Sequence, residues 1–237
     1  MGRSFGNVAE LYARVRPAYP EAALGRAQEA LALGRDAQVV DLAAGTGRLT
    51  EALVPRFESV VAVEPDDAMR ALIRHDRVLA GTAEAIPLPG GTADAVFVGE
   101  AFHWFAWPLA LQEIARVLRP GGGLVLLSNE WWQTEPPIPE RAQELLRDVF
   151  VRSGRASQLA KASQHVDWSP FQRPRDEAYA WERTVQAETL LELYSTTSSL
   201  AALSPEERAV LLSELRPLLE PVYRLPIRTE LVWTRLA

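Results

Sequence analysis

The feature that most constrains this chain is an alternation, through its first half, of short apolar runs with helical patterns. Gln38 to Leu42 (QVVDL) reads as a buried strand, followed by a glycine turn and a helical run from Arg48 to Phe57. Ser59 to Glu64 (SVVAVE) reads as a second strand and Asp66 to Arg74 as its helix, with Asp66 or Asp67 placed to cap it. Arg77 to Gly81 makes a third strand and Ala93 to Gly99 (ADAVFVG) a fourth. Trp107 to Leu118 spaces its apolar residues as a helix does, and Pro120-Gly121 stops it. Gly123 to Ser128 (GLVLLS) is the fifth strand. Strands that alternate with helices in this way predict an α/β fold with a mostly parallel, doubly wound sheet.

The alternation then breaks. Glu130 to Asp176 carries Trp131-Trp132, a proline-rich turn from Glu135 to Pro139 and helix-like stretches, without a strand pattern. It reads as an insertion over the sheet. Ala178 to Val185 resumes as a strand, Ala187 to Ser195 as a helix, and Ile227 to Leu236 as a last strand. Ser204-Pro205-Glu206-Glu207 has the form of a helix start, with Ser at the N-cap and Pro in the first turn.

Composition narrows the chemistry. The chain has no cysteine, which excludes disulfides, thiol nucleophiles and cysteine-ligated metals, and no metal site is expected. Net charge is −6, and Lys161 is the only lysine among scattered arginines. An acidic chain without a basic stripe is poorly suited to a phosphate backbone, so nucleic acid is not expected as a partner. No segment reaches the roughly 20 apolar residues of a membrane span, and Met1 to Glu10 lacks the pattern of a signal peptide. The expectation is a soluble cytoplasmic protein, monomeric or homodimeric.

The strongest local signal is Asp41-Leu42-Ala43-Ala44-Gly45-Thr46-Gly47, between the first strand and its helix. Glycine there lets backbone approach a ligand, and the helix start offers free amides to an anion. Glu64, 17 residues past Gly47, ends the second strand. In a doubly wound sheet that place faces the ligand crevice, where a carboxylate can accept both ribose hydroxyls.

VVDLAAGTGRLT, VVAVEPDDAMR, AGTAEAIPLP, ADAVFVGEAFHWF and EIARVLRPGGGLVLLS, in this order, resemble class I S-adenosylmethionine (SAM)-dependent methyltransferases over about residues 38 to 128. The N-terminal FGNVAELYARVRPAYP and the C-terminal strands are similar to the methyltransferase type 11 branch that includes trans-aconitate methyltransferase-like enzymes. The resemblance implies a Rossmann-like seven-stranded sheet with the last strand antiparallel. It implies one domain over 1–237: an N-terminal helical flap (1–37), a SAM-binding core (38–128), a helical substrate lid (130–176) and a completion of the sheet (177–237).

For SAM, the resemblance implies that Ala43, Gly45 and Gly47 line the methionine half and Asp41 reaches its amino group. Glu64 would hold the ribose, Pro65 and Met69 would border the adenosine, Thr82 and Ala83 would stand at the adenine edge, and Gly99 and Glu100 would face the amino-acid end. Two departures stand out: Ala43 replaces the family's first glycine, and Thr82 replaces its aspartate before Ala83. Tyr12, Arg16 and Tyr19 of the flap, with Trp104, Trp131 and Trp132, are the expected acceptor contacts. His103 is the expected catalytic residue, as general base or substrate contact, because the family's methyl group emerges near its loop.

Each reading has a plainer alternative. Asp41 could cap a turn, Glu100 could be solvated or paired with an arginine, and His103 could pack beneath the insertion. Arg16-Pro17 could simply end a helix, and one of the two tryptophans could be core. His75 and His165 read as surface residues. At the level of function, the reading is methyl transfer to a small molecule, with oxygen slightly favoured as acceptor atom. The rivals are a SAM-binding protein without turnover and a nicotinamide oxidoreductase. The latter would want a third glycine where Thr50 stands.

Overall fold

The computed structural model describes residues 9–131, 138–152 and 166–237. The strands are β1 (Gln38–Leu42), β2 (Ser59–Val63), β3 (Val78–Leu79), β4 (Ala93–Gly99), β5 (Leu118–Glu130), β6 (Arg175–Gln186) and β7 (Val222–Arg235). They form one sheet in the order β3-β2-β1-β4-β5-β7-β6. The first five are parallel, and β7 runs antiparallel to both β5 and β6. Strand order reverses between β1 and β4, so the crevice at their carboxyl ends is where such a sheet takes its ligand.

Alternation along the strands divides the core into two layers. Val39, Phe97, Val125 and Leu127 pack against α2 (Glu21–Ala30) and α3 (Arg48–Leu53). Val40, Val96, Leu124 and Leu126 pack against Leu111 and Ile114 of α5 (Trp107–Val117) on the other face. A third apolar cluster packs at the β6–β7 end of the sheet. It joins Val15 of α1 (Ala9–Val15), Leu146 of α6 (Glu140–Arg152), Leu190 and Tyr194 of α7 (Ala187–Ser195), Leu215 of α9 (Pro205–Leu215) and Leu225 of β7. The short α8 (Ser198–Ala201) contributes Leu200 to the same cluster. The described part of the insertion therefore shares a core with the N-terminal helix and the C-terminal helices. No described helix is long and apolar enough to cross a membrane.

Several elements differ in length from the sequence reading. α3 stops at Leu53 rather than Phe57: Val54 keeps right-handed helical backbone and donates to Thr50 O, but Pro55 after it has no N–H to continue the ladder. α4 (Asp67–Arg70) stops well before Arg74, although Asp66 caps it as expected by accepting from Met69 N at 2.9 Å. The chain turns there so that Ile73 can pack with Ala44 and Ala62. β3 is only two residues, whereas β6 and β7 are longer than read because they pair along Arg175 to Gln186, and β5 because it pairs from Leu118 with β4 and up to Glu130 with β7. Ser204 and Glu207 form the complete reciprocal cap on α9, with Pro205 in its first turn.

Candidate functional site

A cavity of about 460 Å³ opens at the carboxyl ends of β1, β2 and β4. Asp41 and the turn Ala43 to Thr46 form its floor, Glu64 and Pro65 with Met69 one side, Thr82 and Ala83 the far end. Gly99, Glu100 and Trp104 form the opposite side, and Tyr12, Arg16 and Tyr19 its roof. A volume of this size is in the range of small-molecule sites, about 300–1,000 Å³.

The turn and Glu64 are one unit. Glu64 Oε2 accepts from Gly45 N at 2.8 Å and Oε1 from Asp66 N at 2.9 Å, so the carboxylate is pinned at the crevice. Each oxygen keeps a second lone pair for a ligand hydroxyl. Burial raises the Glu64 pKa, opposed by its two backbone amides. Gly45 is left-handed, with φ +58, and a Cβ there would meet only Met69 Sδ at 4.0 Å, so its bare face is turned to the cavity. Ala43, at φ 57, adopts the same left-handed conformation without being glycine. This locates the cost of the departure from the family's glycine: about 1–2 kcal/mol of backbone strain.

Asp41 is fully buried, and its Oδ2 accepts from Thr50 Oγ1 at 2.5 Å. Burial, partly offset by that bond, pushes its pKa up to about 7. Its Oδ1 and the Thr46 Oγ1 are buried with no hydrogen-bond partner among the described residues, and both residues line the cavity. Thr50, which the nicotinamide fingerprint would have as glycine, is thus committed to holding Asp41.

At the β4 end, Glu100 has a left-handed backbone, φ 59, and its Oε1 accepts from Asn129 N at 2.6 Å. Burial pushes its pKa up to about 7, with the Arg16 charge pulling the other way. Arg16 is fastened by Nε to Thr196 Oγ1 and by Nη2 to Thr196 O, both at 2.9 Å, and its guanidinium lies over the Tyr12 ring at 4.7 Å. Burial keeps the Tyr12 and Tyr19 phenols protonated well past neutrality. Arg16-Pro17 also ends α1, so the helix-stop reading and the cavity reading hold together.

The roof is clamped through its backbone carbonyls. Arg183 Nη1 donates to Val15 O at 2.6 Å and Arg48 Nη2 to Arg16 O at 2.9 Å. Asn129 Nδ2 reaches Pro17 O at 3.4 Å and Ala18 O at 3.3 Å. Residues 15 to 18 thus form a strap tied to α3, β5 and β6.

Three expected site residues lie outside the cavity wall. Gly47, at φ +86, turns towards Ile73, whose Cγ2 would stand 3.0 Å from an added Cβ, so its bareness serves packing. Trp131 is fully buried in the third apolar cluster, its ring 5.4 Å from that of Tyr194. His103 sits in the turn Phe102–Trp104, its ring 4.8 Å from Trp104, and Trp104 rather than His103 reaches the cavity. The turn is set by Phe102, which stacks on Trp107 and Trp168 and accepts at its carbonyl from Trp107 Nε1. Trp132 and His165 lie outside the described residues. His75 is half-buried rather than on the surface, its Nε2 2.8 Å from Val60 O. Sequence reasoning missed Thr46, Asn129 and Thr196. Thr46 was legible as part of the glycine turn; the other two act only through distant partners.

Fold and site together define a Rossmann-like α/β protein with a small-molecule-sized cavity at the carboxyl ends of its parallel strands. The family profile described as a methyltransferase domain matches residues 40–126. An uncharacterized methyltransferase of Mycobacterium tuberculosis is 38% identical over 183 residues, 74% of this chain and 74% of that protein. One from Schizosaccharomyces pombe is 28% identical over 229 residues, 94% of this chain and 90% of that protein. Among solved structures, geranyl diphosphate C-methyltransferase from Streptomyces coelicolor, in complex with S-adenosyl-L-homocysteine among other ligands, has the same fold. It has a TM-score of 0.50 and 15% identity, covering 91% of this chain and 76% of that one. The chain belongs to the class I SAM-dependent methyltransferases.

Proposed function

We propose that the protein binds SAM in this cavity and transfers its methyl group to a small-molecule acceptor, with a hydroxyl slightly favoured. One observation carries the reading: Glu64 and Gly45, joined by a hydrogen bond, share a cavity with the unsatisfied Asp41 Oδ1. A ribose suits the first pair and an ammonium the second, and SAM supplies both. SAM carries the reactive methyl; the chain holds donor and acceptor in line and excludes water. Glu64 would hold the ribose, Asp41 and the turn of Ala43 and Gly45 the methionine end. Pro65, Met69, Thr82 and Ala83 would border the adenosine, and Gly99 and Glu100 the far end.

Tyr12, Arg16, Tyr19 and Trp104 would then shape the acceptor pocket. Solubility, cytoplasmic location and the lack of a nucleic-acid partner rest on composition. An acceptor hydroxyl arrives protonated and needs a proton acceptor. His103, next in the chain to the wall residue Trp104, would serve as that acceptor. Titration calorimetry tests the cofactor: SAM and S-adenosylhomocysteine should bind, NAD should not, and Glu64→Ala should weaken SAM by about 1.5–3 kcal/mol. Tight NAD binding without SAM binding would sink the reading. A metabolite panel incubated with SAM, read by mass gain of one methyl, identifies the acceptor.

A further inference from the structure

Groups on the cavity wall follow the strand order. Thr82 and Ala83 come after β3, Glu64 stands at the end of β2, Asp41 and Gly45 at the end of β1, and Glu100 at the end of β4. Neighbouring strands are about 4.8 Å apart. A ligand with adenine beyond β3 and ribose on Glu64 therefore carries the atoms past its ribose towards the β1–β4 end, where Asp41 and Glu100 lie. The wall as a whole favours a cation: it includes the carboxylates of Asp41, Glu64, Asp66, Glu84 and Glu100, and the guanidiniums of Arg16 and Arg48.

We propose that Glu100 is the counter-charge by which this site distinguishes cationic SAM from neutral S-adenosylhomocysteine, holding the sulfonium and releasing the thioether. The inference rests on the cofactor reading above. Glu100 is fixed at the wall by the Asn129 amide and by a left-handed backbone that is unfavourable for a residue with a side chain. Such strain at a cavity wall points to a role for the side chain. Around it stand Arg16, Tyr12 and Tyr19 from the N-terminal segment and Glu130 from β5, the last 3.7 Å from Arg228 of β7, and Asp41 of β1 lines the same cavity. Arg16 is the favourable partner, but two of its nitrogens are turned to Thr196. Both phenols stay neutral across the physiological range. Glu100 itself titrates at about 7, so its charge is present above that pH and absent below it.

The two ligands share adenine, ribose, ammonium and carboxylate and differ at the sulfur. Groups that touch only the shared parts cancel when their affinities are divided. Dissociation constants for SAM and S-adenosylhomocysteine are to be measured by titration calorimetry between pH 5.5 and 8.5, on the full chain and on Glu100→Gln. The preference for SAM should grow by up to about ten-fold as pH rises, the equivalent of one pKa unit at Glu100. In Glu100→Gln it should be flat at the low-pH value. Glu100→Asp, which keeps the charge, should keep the pH response, and this arm stands if the glutamine variant fails to fold. A flat ratio in the wild type overturns the proposal, as does a response that survives in Glu100→Gln, which would assign it to Asp41. Failure of both ligands to bind at any pH overturns the cofactor reading as well.

Discussion

The Tyr19 hydroxyl stands so close to Gly99 that a Cβ on residue 99 would lie 2.4 Å from the phenol oxygen. Leu49 Cδ2 would be 3.2 Å away on another side, so the space is closed by a rigid ring and a core side chain. Gly99→Ala should push Tyr19 out of its seat and lift the roof. SAM affinity should fall by at least about ten-fold, while the sheet stays folded, as overpacking costs of about 1–3 kcal/mol allow. Calorimetry and circular dichroism on the variant check both halves. An affinity within two-fold of wild type would mean that the roof does not bear on the ligand.

Asn129 ties the roof to the middle of the sheet. Its Nδ2 serves Pro17 and Ala18 carbonyls, and its Oδ1 accepts from Thr229 Oγ1 at 2.6 Å. Asn129→Ala should loosen residues 15–18 and cost about 1–3 kcal/mol, because buried acceptors lose their donor. Amide hydrogen exchange should rise in the strap ahead of the strands of the core. Uniform exchange across the chain would refute a local clamp.

Asp41 and Glu100 make stability depend on pH. Burial holds both near 7 in the folded protein, against 3.8 and 4.5 for the free groups. Between about pH 4.5 and 7 the folded state keeps protons that the unfolded chain has released, so stability declines as pH rises through that window. Glu113, Glu177 and Glu188 are held low by Arg116, Arg26 and Arg216, and lose their contribution only in more acidic solution. Without ligand, the melting temperature should be about 5–10 °C lower at pH 8 than at pH 5.5. Melts followed by circular dichroism check this, and a rise over the same window would contradict it.

His103→Ala separates chemistry from binding. SAM affinity should stay within about two-fold, since the ring is not on the cavity wall. Towards a hydroxyl acceptor the rate should drop by about 10²–10⁴-fold and lose its rise with pH. Towards a carboxylate, already ionised at neutral pH, the rate should be flat between about pH 6 and 8, with Arg16 the partner. Full activity with an unchanged profile would leave His103 as packing.

How far these features were legible depended on the range of the interaction that sets them. Ala93–Gly99 and Ala187–Ser195 have the bounds read from their patterns, because burial on strand or helix faces repeats within the element itself. The glycine turn and Glu64 were legible for the same reason: spacing along one βα unit places them. The strap was not. Val15, Arg16 and Ala18 find their donors at residues 183, 48 and 129, and the side chain of Arg16 finds its acceptor at 196. Trp131 looked like pocket wall beside Trp132, and only tertiary packing with Tyr194 shows it as core. The left-handed backbones of Ala43 and Glu100 were hidden too, since neither residue type signals that conformation.

Because β7 comes after β6 in the chain yet lies between β5 and β6, the order of synthesis bears on how the molecule assembles. As the chain leaves the ribosome, β1 to β5 can pair in turn, but the far edge of β5 stays bare until residues 222 to 235 have emerged. That edge is long and apolar, the sort of surface that recruits strands from other chains. Over that interval, β6 has no neighbour to pair with in the finished register. A nascent chain stalled before residue 222 should therefore be a client for chaperones, and the insertion of one late strand decides whether that edge stays open to other chains.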